Sequence, residues 1–211
     1  MKLNIKGVIV PNDLVAVYDW FDIENVSPKN VADIIDNANG EPIDVEINSG
    51  GGYITAGNEI YSALKNYPGE VNIRVIWAAS AASVIAMARY CIMEPTAMMM
   101  IHNVSGSAEG DYRDMAHQSE VLKTASKAMS AAYQLKSGKS EAEIMALMDA
   151  ETWFTAKEAL EMGFVDEVSE EQTMVASYKS PVLPQQLVGK VLDDIQNYNA
   201  ALERFKQLGG E

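Results

Sequence analysis

Two serines of one apolar stretch and the two histidines of the chain are the first candidates for a nucleophile and its base. Ser80 and Ser83 lie in the uncharged stretch WAASAASVIAMA, residues 77–88. His102 follows an apolar run, whereas His117 lies among polar and charged residues, as expected for a surface position. A serine can attack a carbonyl carbon when an imidazole takes its proton. Taken alone, the serines are equally typical of capping or packing residues, and His102 of a structural residue.

A glycine run is the second feature that could do chemistry. NSGGG, residues 48–52, follows an apolar stretch. Glycine permits positive φ and lets a backbone approach a ligand closely, and the amides of such a run could hold an oxyanion. A tight turn alone would also account for the glycines. No Gly-Lys-Ser/Thr follows, so the run is not a phosphate-binding P-loop.

The elements that must position these residues alternate between strands and helices. This alternation predicts parallel βαβ crossovers and an α/β fold. Strands are predicted at residues 3–10, 43–47, 71–77, 98–102 and 164–168. Helices are predicted after Ser27-Pro28, after the glycine run, over residues 77–88 and 110–136, and after the capping pairs Ser140/Glu143 and Thr155/Glu158.

The composition of the chain argues against several classes of partner and cofactor. The chain has 16 basic and 30 acidic residues, a net charge of −14, which argues against nucleic acid as a partner. With one cysteine and two histidines, neither a disulfide nor a Cys/His metal cluster is expected, and we expect no cofactor. No stretch is typical of a signal peptide or a membrane span, so we expect a cytoplasmic protein with no membrane partner.

Separated segments of the chain resemble the Clp protease proteolytic subunit (ClpP) family. INSGGGYITAGNEIYSAL, residues 47–64, resembles its INSPGG-x-I-T-A-G segment, and SAASVIAMA resembles its A-A-S-M-G nucleophile segment. MMMIHN resembles its M-I-H-x-P segment, and SGKS with WFTAKEALEMGFVDEV resembles its closing region. The resemblance covers about residues 3–168 in the family's order. It implies a ClpP/crotonase-like α/β fold of repeated ββα units, with residues 110–136 as a protruding handle helix.

The resemblance also implies a role for each site residue. Ser83 falls at the nucleophile and His102 at the general base, and Ser80 falls at a packing position. The oxyanion donors fall on the amides of Gly51 and Val84. Residues after the nucleophile and within the glycine motif depart from the family: Val84 follows Ser83 where the family has methionine, and Gly50 replaces a proline.

The third member of the triad and the substrate contacts are less sharply defined by the resemblance. An ungapped register places Glu151 where the family has aspartate, with Asp149 as the alternative two positions away. Such a carboxylate would orient the histidine. In the family, the substrate binds as an added strand beside the residues that correspond here to Gly50, Gly52, Asn103 and Val104.

The residues of the segments SAASVIAMA and AMMMIH, and the 19 positions from Ser83 to His102, indicate a finer subclass. Both resemble most the ClpP-type head maturation proteases of phages and prophages. This predicts a serine endopeptidase that cleaves capsid or scaffold proteins, independent of ATP or weakly coupled to an ATPase. The first strand begins almost at Met1, which leaves little room for the family's axial loops. A homo-oligomeric ring is implied, with a heptamer favoured.

Three alternatives remain at this point. The first is a general ClpP-like peptidase that works with a AAA+ unfoldase. The second is a crotonase-like acyl-CoA enzyme, which the scarcity of basic residues disfavours, since Arg89 is the one basic residue between Arg74 and Arg113. The third is an inactive capsid-assembly component. We expect one catalytic domain at residues 1–172, a linker at 173–187 and an amphipathic helix at 188–207.

Overall fold

A central seven-stranded sheet organises the fold. The computed structural model describes residues 1–169, which lie within one unit, Met1–Glu171. The strands are β1 (Lys2–Ile9), β2 (Asn25–Val26), β3 (Ile43–Gly52), β4 (Val71–Ala79), β5 (Tyr90–Ile101), β6 (Thr152–Thr155) and β7 (Glu167–Val168). Their order is β2-β1-β3-β4-β5-β6, and β7 pairs with β5. Every pairing is parallel except that of β5 with β6, so the predicted α/β fold is confirmed.

Helices connect the strands. They are α1 (Val15–Trp20), which follows a 3-10 turn at Asn12–Leu14, then α2 (Pro28–Ala38), α3 (Ile54–Asn66), α4 (Ala81–Ala86), α5 (Tyr112–Ser137), α6 (Glu141–Asp149) and α7 (Ala156–Glu161). The predicted capping boxes at Ser140 and Thr155 are present, and each satisfies helix-end amides that have no partner within the helix. None of the helices in residues 1–169 is long and apolar enough to cross a membrane.

Several predicted boundaries differ from the structure. The strand predicted at residues 43–47 continues through the glycine run to Gly52. The helix predicted over residues 77–88 is only the six-residue α4, because β4 continues to Ala79. The strand predicted at residues 98–102 begins much earlier, at Tyr90, and β6 was not predicted. The predicted linker at 173–187 and helix at 188–207 lie outside the described residues.

The core packs against one face of β1, β3 and β4, whereas the residues on the opposite face are exposed or half-buried along most of each strand. Side chains that alternate along β1, β3 and β4 are almost fully buried, among them Ile5, Ile47 and Ile73. Ile60 and Leu64 of α3, four residues apart, are buried against this apolar layer. Each such side chain contributes about 1.5–3 kcal/mol by leaving water. The sheet is therefore a rigid base for the residues at its ends.

Irregularities in neighbouring strands lie just before the ends that carry the candidate site. The register shifts between Lys6 and Val8 in β1, between Ile47 and Asn48 in β3, and between Val75 and Trp77 in β4. Such bulges bend a strand and redirect the side chains that follow. The carboxyl ends of β3, β4 and β5 lie beyond these shifts, and the glycine run, Ser80 and His102 are found there.

Candidate active site

Ser80 occupies a strained turn between β4 and α4. Its backbone has φ 57° and ψ −126°, a region that residues with a side chain rarely adopt. Such a conformation costs about 1–3 kcal/mol and persists only where the surroundings fix it. Here the Ser80 amide donates to the Met100 carbonyl of β5 at 3.0 Å, and the Ser80 carbonyl accepts from the Ser83 amide at 3.0 Å. The turn holds the Ser80 side chain at the end of the sheet.

His102 lies directly beside Ser80. It follows the last residue of β5, the strand that neighbours β4, so the topology brings the two strand ends together. The distance from His102 Nε2 to Ser80 Oγ is 2.8 Å, and both residues are half-buried. With the imidazole proton on Nδ1, Nε2 accepts the Ser80 hydroxyl proton. This is the geometry that a general base needs towards a nucleophile.

The expected pairing of Ser83 with His102 is not found and is corrected here. Ser83 is completely buried, and its Oγ donates to the Ser80 carbonyl at 2.7 Å and lies 2.8 Å from the Tyr133 hydroxyl. The physical reason is the short α4. Because the helix begins only at Ala81, Ser83 lies inside it and is directed into the core, while the residue before the helix faces His102.

The expected oxyanion amides also have other partners. The Val84 amide donates to the Ser80 carbonyl at 3.4 Å, as the first turn of α4 requires. The Gly51 amide donates to Ser49 Oγ at 3.1 Å. Neither amide is therefore free in this structure to bind a developing oxyanion, and both assignments are corrected.

Gly51 nevertheless has a clear structural role beside Ser80. Its φ is +100°, and a Cβ at this position would lie 2.7 Å from both the Ala79 carbonyl oxygen and Ser80 Cβ. Only glycine fits so close to this turn. Gly51 thus contributes to the site because it has no side chain.

A cavity opens beside the Ser80–His102 pair. Three of the residues expected to contact substrate, Gly52, Asn103 and Val104, line it. Gly50 is not among the lining residues, and its Cβ position faces open space. The substrate role of all four residues stays a prediction.

The two candidate carboxylates differ in their links to the site. Asp149 Oδ1 accepts from Asn103 Nδ2 at 2.7 Å, which connects the end of α6 to the residue next to His102. Glu151 is exposed, with φ 48°, and among residues 1–169 its side chain has no hydrogen bond to the site. Asn103 Oδ1 is buried and has no partner among the described residues. Of the two carboxylates, the alternative Asp149 is therefore the one that is hydrogen-bonded to Asn103, the residue after His102.

His117 and Cys91 are not among the residues that line this cavity, whereas Tyr133 is. His117 is exposed on α5, as predicted. Cys91 is buried in β5, and this burial raises the pKa of its thiol to about 12. Nothing in the sequence singles out Tyr133, since its position on the long helix belongs to no motif. Burial raises the pKa of its phenol, which stays protonated.

Comparison with known proteins shows the family of the chain. A family model described as Clp protease matches residues 29–172. The chain is 33% identical over 136 residues to the ATP-dependent Clp protease proteolytic subunit 1 of Leifsonia xyli subsp. xyli, covering 62% of this chain and 68% of that protein. It is 34% identical over 134 residues to subunit 2 of Nocardia farcinica and over 132 residues to subunit 2 of Thermobifida fusca. Each of these two matches covers 60% of this chain and 64% of the relative, so the chain spans slightly less than two thirds of their length.

Proposed function

The chain belongs to the Clp protease family, and on that premise we propose that it is a serine endopeptidase with Ser80 as nucleophile and His102 as general base. The observation that carries the assignment is the 2.8 Å distance between His102 Nε2 and Ser80 Oγ, at a strained turn. Ser80 is half-buried, and backbone strain of this kind clusters at active sites, where the surrounding structure holds the residue in place.

The chemistry follows from this pair. Ser80 Oγ attacks the peptide carbonyl carbon while His102 Nε2 takes the hydroxyl proton, which gives a tetrahedral intermediate with a negative oxygen. The imidazolium then protonates the leaving amine, and an acyl-enzyme forms on Ser80. Water, deprotonated by the same imidazole, releases the acyl group and restores the serine.

For the oxyanion we propose the amides of Ala81 and Gly52 in place of those of Val84 and Gly51. Ala81 is the first residue of α4, so its amide has no acceptor within the helix. Gly52 is paired with Ile9 of β1, and the Ile9 carbonyl accepts from Tyr53, the residue after it. In a parallel pair this directs the Gly52 amide away from β1 and towards β4. Both residues line the cavity beside Ser80.

We propose Asp149, rather than Glu151, as the carboxylate that supports the base. It acts as a positioning residue, since its contact is with Asn103 and not with the imidazole. Replacing Asp149 with Asn should lower kcat by about tenfold, whereas Glu151→Gln should leave it nearly unchanged. Equal effects of the two changes would contradict the assignment.

The substrates proposed are polypeptides, bound in an extended form beside Gly52, Asn103 and Val104. The proposed natural targets are capsid or scaffold proteins that are cleaved during head maturation. This proposal rests on the resemblance of the serine and histidine segments to those of head maturation proteases. The serine-to-histidine interval does not support these targets, because the interval from Ser80 to His102 is 102 − 80 = 22 positions and not 19. The relatives are ATP-dependent Clp protease subunits, which favours polypeptides delivered by an ATPase as the second candidate.

We also propose a homo-oligomeric ring, with a heptamer as the favoured state, and a cytoplasmic location. Both rest on the family and not on a contact within the described residues. Sedimentation analysis of the purified protein tests the ring: a monomer at micromolar concentration would contradict it.

Hydrolysis of a fluorogenic peptide tests the proposed activity. His102→Gln should lower kcat/KM by a factor of about a thousand or more, because no other base lies beside Ser80 in the described residues. His117→Gln is the matched control on the surface of α5 and should have no effect. Equal activity of the two variants would rule out the proposed mechanism.

A further inference from the structure

A buried chain of hydroxyl groups leads from the core to the backbone of Ser80. Tyr133 of α5 and Ser83 of α4 are 2% and 0% exposed, and their hydroxyl oxygens are 2.8 Å apart. Ser83 Oγ lies 2.7 Å from the Ser80 carbonyl oxygen. The mechanism as described uses neither hydroxyl.

The direction of this chain follows from counting protons. A serine hydroxyl has one proton, and a carbonyl oxygen can only accept. Ser83 therefore donates to the Ser80 carbonyl, and its remaining contact must be one in which it accepts. The Tyr133 phenol supplies that proton, and burial keeps the phenol in its protonated form. The order is Tyr133 O–H to Ser83 O–H to the Ser80 carbonyl.

The series of hydroxyl hydrogen bonds ends at the peptide group that joins Ser80 to Ala81. Its carbonyl oxygen accepts from the Ser83 hydroxyl and from the amides of Ser83 and Val84. Its N–H belongs to Ala81, which lines the cavity. A hydrogen bond to the oxygen of an amide polarises the whole group and strengthens its N–H as a donor. The same bonds fix the plane of this peptide, and therefore the direction of the Ala81 N–H.

We propose that Tyr133 and Ser83 are positioning residues that orient and polarise the Ser80–Ala81 peptide as an oxyanion donor. This deepens the proposed function and rests on it. A role in packing alone would require only that the two buried hydroxyls satisfy each other. The structure adds a third link, to a peptide whose carbonyl accepts from the buried Ser83 hydroxyl while its N–H belongs to Ala81, a residue of the cavity wall.

Two substitutions interrupt this series of hydroxyl hydrogen bonds with little change in the shape of the side chains. Tyr133→Phe removes one oxygen atom, and Ser83→Ala removes another. Ser130→Ala is the matched control: Ser130 is also fully buried on α5 and bonded, but to Lys127 and Gln134, away from the site. Thermal unfolding of all three variants measures the cost of losing a buried hydroxyl, which should be similar in each.

The kinetics should separate a positioning role from a structural one. Tyr133→Phe should lower kcat about tenfold and Ser83→Ala about thirtyfold, with KM nearly unchanged, since losing an oxyanion donor outright costs about a hundredfold or more. The affinity of a peptide boronate, which forms a tetrahedral adduct on the nucleophile, should fall by the same factors. The double variant should lose no more than Ser83→Ala alone, because the two groups act in series.

The outcomes also distinguish this proposal from the one on which it rests. If wild type cleaves the peptide and both variants behave like Ser130→Ala, the hydroxyl chain has no positioning role, although the peptidase assignment stands. If wild type itself shows neither cleavage nor boronate binding, the proposed function fails first. Loss of kcat in Tyr133→Phe with an unfolding temperature like that of Ser130→Ala supports the proposal even if Ser83→Ala does not fold.

Discussion

Replacing Gly51 with alanine tests whether the glycine run sets the position of the nucleophile. A Cβ at Gly51 would lie 2.7 Å from Ser80 Cβ and from the Ala79 carbonyl oxygen. Gly40 provides a control with a similar backbone, φ +87° against +100°, and no atom within 4 Å of its Cβ position. Gly40→Ala therefore adds the strain of a positive φ alone, whereas Gly51→Ala adds the strain and the collision.

The magnitude follows from these distances. Strain from the left-handed backbone costs about 1–2 kcal/mol in both variants. An ordinary contact begins near 3.4 Å, so the Ser80 turn must move by about 3.4 − 2.7 = 0.7 Å to admit the methyl group. A displacement of about 1 Å of a catalytic group can cost a hundredfold in rate. Gly51→Ala should thus lower kcat/KM by about thirty- to a hundredfold, and Gly40→Ala by less than about twofold.

The assay pairs peptide hydrolysis with thermal unfolding of the same samples. Both variants should unfold a few degrees below wild type, and only Gly51→Ala should lose activity. If Gly51→Ala keeps more than about a third of wild-type kcat/KM while folded, the close approach of the glycine to the nucleophile does not matter for the reaction.

Two further predictions concern titratable groups away from the site. Hydrogen bonds from Ser169 and Arg74 lower the pKa of Glu94, so this carboxylate stabilises the fold above its ordinary pKa of about 4.3 and loses that effect as the pH falls through its lowered value. Glu94→Gln should lower the unfolding temperature at pH 7, and the difference from wild type should shrink below pH 4; a difference independent of pH would contradict this. Cys91, buried and with a thiol pKa raised to about 12, should not react with iodoacetamide in the native protein at pH 8, and should react once the protein is unfolded, as mass spectrometry can show.

The sequence predicted the elements of the fold better than the boundaries at the site. The helix with its N-cap at Ser27 and the capping boxes at Ser140 and Thr155 are local patterns, and the structure has all three. By contrast, β6 is only four residues long and pairs antiparallel with β5. A strand so short has little periodicity of its own and depends on a partner distant in the sequence.

The choice between Ser80 and Ser83 could not be made from the repeated AAS pattern. Both serines follow two alanines, so the A-A-S segment of the family can be aligned with either of them. What separates them is the point at which the strand ends and the helix begins, and such boundaries are set by tertiary contacts. Ser80 bonds through its amide to β5, whereas Ser83 is enclosed by α4 and α5. The sequence singles out His102 because it follows a strongly apolar strand, and the structure has its Nε2 2.8 Å from Ser80 Oγ.

The most direct test of the central claim is to locate the site of covalent modification by a fluorophosphonate. The probe reacts with a serine whose proton a neighbouring base removes, so the adduct should be found on Ser80, within the peptide that contains both serines. Tandem mass spectrometry distinguishes the two positions because Ala81 and Ala82 separate them. An adduct on Ser80 that is absent from Ser80→Ala is the expected result. An adduct on Ser83, or one that persists in Ser80→Ala, would contradict the account.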